Sequence, residues 1–129
     1  MRKRWWMAAV VVIGCFLVAQ AAYAQYDSAA AKATMKQVAG NLQELQKRAA
    51  VKDYYGTAEK FMDIAKTFKA LDKVTPPKGA KAEWDRIHGN MIKAAFKGIG
   101  ACGAGNDAGI KAAVDELVRY RNEGHKIFK

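Results

Sequence analysis

GIKAAVDELVRYRNEGHKIFK (109–129) reads as one amphipathic helix. Ile110, Val114, Leu117, Arg121, His125 and Phe128 follow one another at three or four residues, which puts them on a single face. The stripe carries an imidazole among its apolar residues, and an inward histidine in a small helical protein needs a partner. Nowhere does the chain show the strict two-residue alternation of a half-buried strand.

Toward the N-terminus three more segments carry the same period. The first starts at Asp27 or Ser28, either of which can cap it, with a stripe of Met35, Val38, Leu42, Leu45 and Ala49. The second takes Asp53 as its cap and carries Tyr54, Ala58, Phe61, Ala65, Phe68 and Leu71. Thr75-Pro76-Pro77-Lys78 and Gly79 form a stiff turn that neither flanking helix can enter. The third starts near Ala80 and presents Trp84, Ile87 or His88, Met91, Ala95 and Ile99; the glycine-dense stretch 98–105 is expected to stop it. Asn106 or Asp107 caps the fourth. Short links between consecutive helices make neighbours antiparallel, so the expected fold is all-α, an up-down-up-down four-helix bundle.

Residues 1–24 read as a secretory signal: Arg2, Lys3 and Arg4, an apolar run from Trp5 to Val18, and Ala22-Tyr23-Ala24 as the cleavage site. A lipoprotein box at Val12-Ile13-Gly14-Cys15 is the weaker alternative, and the run is short for a membrane span. The mature chain, residues 25–129, is expected to be one periplasmic domain without a membrane span. It keeps 19 Lys and Arg against 12 Asp and Glu. Export, and lysines spread along every helix, argue against nucleic acid; an acidic protein partner or an anionic surface fits the charge. Cys15 leaves with the signal, so Cys102 has no intramolecular disulfide partner, and it is read as a loop thiol or a dimer link. No carboxylate pair, Ser/His/Asp set or phosphate loop suggests an enzyme.

In an antiparallel bundle the start of the first helix lies beside the end of the fourth, which brings Met35 and His125 to the same end. A thioether and an imidazole facing each other are an axial pair for haem iron. Met35 with Asn41-Leu42, the Thr75-Pro76-Pro77-Lys78 turn, and Arg121-Asn122 with His125, in that order, resemble the soluble periplasmic cytochrome b562 family, within the wider group that includes the cytochromes c′. The resemblance covers essentially the whole mature chain. It implies one non-covalent haem b per chain, with Met35 and His125 as axial ligands and Arg121 at the haem edge. It further implies that Pro76 and Pro77 shape the pocket rim and that Trp84, His88 and Met91 face the ring. Arg121 and Gly124 stand where cytochromes c′ carry their attachment cysteines. His88 stands where the family has an aromatic wall residue, as a competing ligand or a polar contact.

The function expected from this resemblance is periplasmic electron transfer, by a soluble monomer whose redox partners are acidic. Two other readings stay open. One is a haem-free binding or adaptor module of the same fold, in which Met35 is core and His125 caps its own helix. The other is a copper protein using Met35, His125 and His88 or Met62.

Overall fold

The computed structural model describes residues 27–128. The expected signal segment 1–24, Cys15 and the mature start at Gln25 lie outside the described residues. Four helices follow in chain order: α1 (Ser28–Ala50), α2 (Tyr54–Ala70), α3 (Lys81–Gly103) and α4 (Asp107–Phe128), with a 3-10 turn at Leu71–Lys73. Among the described residues there is no strand, and the architecture is the expected all-α four-helix bundle. No helix among them is long and apolar enough to cross a membrane.

The helix starts follow their capping chemistry. Asp27 Oδ1 accepts from the N–H groups of Ala29 and Ala30, and Asp53 Oδ1 accepts from Gly56 N–H at 2.9 Å. At α4 the cap is Asn106, whose Oδ1 accepts from Gly109 N–H at 3.0 Å. That leaves the Asp107 carboxylate free to take Lys52 Nζ at 2.7 Å and Tyr54 Oη–H at 2.9 Å. The α1–α2 turn, where Lys52 adopts a φ of 60°, is thereby tied to the start of α4. At the opposite end Lys81 donates to the Asp72 carbonyl and to Asp85, while Arg86 bridges Glu83 and Glu123 between α3 and α4.

The core runs along the bundle axis. Leu45, Phe61, Phe68, Ile64 and Ile87 are its largest fully enclosed apolar side chains, and both Ile87 and His88 of α3 are buried. α2 and α3 share the most intimate seam, α3 and α4 nearly match it, and α1 and α4 meet only thinly. α1 is the least embedded helix: Val38 and Leu45 are its buried residues.

α3 ends inside the glycine-dense stretch, as expected, but not at its first glycines: the helix runs through Gly98 and Gly100 to Gly103. Gly98 is buried because the Phe61 ring of α2 lies where a side chain on Gly98 would be. Close approach of two helices, rather than a chain break, is what glycine serves there. The helix ends at Ala104, and Gly105 takes the positive φ of 62° that closes the turn. Cys102, expected in a loop, is a buried residue of the last turn, 4% exposed. It is not placed to link two chains, and burial pushes its thiol pKa up.

Gly98→Ala should overlap the Phe61 ring and destabilise the fold by about 1–3 kcal/mol, the usual cost of overpacking. Urea denaturation of Gly98→Ala and of Gly98→Ala/Phe61→Leu checks this: the second change should recover part of the loss.

Candidate functional site

The thin α1–α4 seam opens into a cavity of about 460 Å³. Its cause is local. Ala30, Ala31 and Thr34 of α1 and Gly124 of α4 all face it, and none carries a side chain long enough to fill the gap. Protein interiors are normally packed with few voids larger than a water molecule. A mostly apolar cavity within the roughly 300–1,000 Å³ range of organic-ligand pockets is therefore a binding-site candidate.

Met35 enters this wall from the second turn of α1, and Arg121 and His125 from the last two turns of α4. Trp84, His88 and Met91 contribute from α3, and Pro77 from the connecting segment. Seven of the eight sequence-derived site residues thus share one cavity. Pro76 is the exception, since Val74 and Pro77 line the cavity and Pro76 does not. The three-residue period of an extended proline-rich stretch accounts for this, because it puts residues three apart on one side. Met62, weighed as a metal ligand, does not line the cavity either, and Cys102 lies near the other end of the bundle.

The deep wall is aromatic and firmly held. Trp84 Nε1–H donates to the Leu71 carbonyl at 3.0 Å, pinning the first turn of α3 to the end of α2. Its ring meets Phe128 edge-on at 5.0 Å and His88 edge-on at 4.4 Å. Phe68 stacks on the other flank of His88 at 5.5 Å. His88 is wedged between two rings, 6% exposed, and its Nδ1 has no hydrogen-bond partner among the described residues. Burial pushes its pKa down to about 4, against the opposing pull of Asp72 and Asp85, so the imidazole is neutral at pH 7. His125 is half-buried, with its Nε2 shielded from solvent.

Sequence reasoning passed over Tyr120, Thr34, Val74 and the two alanines of α1 as wall residues. The signal for Ala30 and Ala31 was present as the run Ser28-Ala-Ala-Ala-Lys32, a helix start with little side-chain volume.

A mostly apolar cavity lined by a neutral sulfur donor and an imidazole on different helices, together with a cation, can chemically accept an organic group carrying a metal and carboxylates. Among the described residues no three or more His, Cys, Asp or Glu side chains gather as a metal cage. Comparison with family models, with curated proteins and with solved structures finds no match to this chain.

His88 gives a pH prediction. Its folded pKa lies below the ordinary 6.5, so the unfolded chain binds the extra proton and stability falls as pH drops from about 6.5 to about 4. The contribution lost is on the order of 3 kcal/mol. Urea midpoints of the native chain and of His88→Phe, measured from pH 7 to pH 4, check this: the variant should keep a flatter profile across that window.

Proposed function

We propose that this chain is an exported electron carrier of the periplasm that holds one non-covalent haem b between Met35 and His125. The observation that carries the reading is that Met35 and His125, far apart in sequence, line one mostly apolar cavity together with Arg121. Bound there, haem would supply one-electron chemistry, its iron passing between ferric and ferrous.

The residues of the chain divide the remaining work. Met35 offers a neutral thioether and His125 an imidazole, a pair that suits low-spin iron and a raised reduction potential. Each stands on a helix of more than twenty residues, so the two donors are held by regular backbone and not by mobile loops. Phe68, Trp84 and Phe128 keep water from the deep wall, and Arg121 offers a cation to carboxylate groups. No side chain needs to form or break a covalent bond. Net basic charge steers the carrier toward acidic redox partners through brief contacts.

The deciding experiment is a visible spectrum, oxidised and then dithionite-reduced, of protein exported to a haem-replete periplasm. Sharp reduced α and β bands with solvent-extractable haem are expected. His125→Ala should abolish low-spin haem binding and lower the melting temperature, and Met35→Ala should convert the spectrum from low-spin to high-spin. A folded, colourless protein that ignores added haemin would overturn the reading and leave a haem-free envelope binding module.

A further inference from the structure

The charge of the bundle is divided unequally between its two ends. Residues 27–39, 64–91 and 118–128 make up the half that contains the cavity, and they carry 11 Lys and Arg against 5 Asp and Glu. Residues 40–63 and 92–117 make up the other half and carry 7 against 7. All of the net charge of the described residues therefore sits at the cavity end.

Local pairing sharpens the asymmetry. Each acid of the cavity half is already engaged: Asp27 caps α1, Asp72 pairs with Lys69, Asp85 with Lys81, and Glu83 and Glu123 share Arg86. Lys32, Lys36, Lys66, Lys73, Lys78 and Lys126 are exposed there, with no ion pair among the described residues. A helix of 22 residues is about 33 Å long, several Debye lengths at physiological salt, so the balanced end does little to cancel the field of the other.

We propose that the cavity end of the bundle is a docking surface for an acidic protein. A protein fits better than a bilayer because membrane-surface binding joins cations and inserted apolar side chains on one face. Among the described residues the two most exposed large apolar side chains, Val51 and Tyr55, at 76% and 80% exposure, stand at the far end of the bundle; Phe96, 52% exposed, is the one that borders cavity-end cations, beside Lys66 and Lys69. That the partner is a redox protein rests on the carrier reading above; the docking surface itself does not.

The test uses labelled poly-L-glutamate as an acidic probe, read by fluorescence anisotropy against the exported protein with and without added haemin. Two charge-reversed pairs alter net charge equally: Lys32→Glu with Lys126→Glu at the cavity end, and Lys47→Glu with Lys111→Glu at the other. Circular dichroism verifies that both stay folded, and Lys36→Glu with Lys78→Glu repeats the cavity-end change at different sites. Binding should weaken about tenfold in the cavity-end pairs and less than about twofold in the distal pair. Equal weakening in both would overturn the proposal, since net charge alone would then explain binding. Tighter binding to phosphatidylglycerol vesicles than to poly-L-glutamate would also overturn it, in favour of a membrane surface. Where haemin binds, oxidation of the reduced protein by ferricyanide, a trianion, should slow in the cavity-end pairs only. A chain that takes up no haemin would refute the carrier reading, while the anisotropy still decides the docking surface.

Discussion

The bundle cannot close along the seam between α1 and α4, and the other features of the site depend on that deficit. α2, α3 and α4 bring Phe61, Phe68, Ile64, Ile87 and Leu117 into a continuous core. The first turns of α1 bring alanine and threonine, and α4 meets them with a glycine. Side chains of that size leave a gap where two helices would otherwise interlock. The gap lies at the end where the topology puts the beginning of α1 beside the end of α4, so residues from opposite ends of the chain come to share one wall.

What surrounds the gap is stiff, and the stiffness has identifiable sources. The Trp84 hydrogen bond to Leu71, the Lys81 bonds to Asp72 and Asp85 and the Arg86 bridge to Glu123 join α2, the connecting segment, α3 and α4 at the cavity end. Among the described residues no hydrogen bond or ion pair of comparable kind is seen from α1 there. A helix with few buried contacts opens at lower free energy than its neighbours. The side of the cavity carrying Met35 is therefore the compliant one, and the side carrying His125 the fixed one.

Much of this is legible in the sequence, and the reasons differ by feature. Helices and their starts are local matters, so the periodicity and Asp27, Asp53 and Asn106 announce them. The convergence of Met35 with His125, Trp84, His88 and Met91 follows from topology, once short links dictate antiparallel neighbours. Gly98 misleads because a glycine that ends a helix and one that admits a neighbouring ring look alike in one dimension; the Phe61 ring that separates the two cases stands elsewhere in the chain. Cys102 is misread for the same reason, its burial following from a helix that Gly98 and Gly100 do not end. The cavity is the least legible feature, since it arises from short side chains on different helices, and only the packed arrangement brings Ala30, Ala31 and Gly124 to one wall.

The deficit also bears on folding. A ligand that binds only the folded chain adds stability in proportion to the logarithm of its concentration over its dissociation constant, about 2.7 kcal/mol at a hundredfold excess. For a bundle that fully buries only Val38 and Leu45 of α1, such an increment matters most along the α1–α4 seam. The buried Nδ1 of His88 points the same way, because a polar atom without a hydrogen bond in an apolar wall costs on the order of 1–3 kcal/mol. A ligand that fills the seam and offers that atom a partner removes both penalties at once. The small residues that leave the seam open are thus the ones that would make room for a ligand, and for such a ligand binding and completion of the core would be one event.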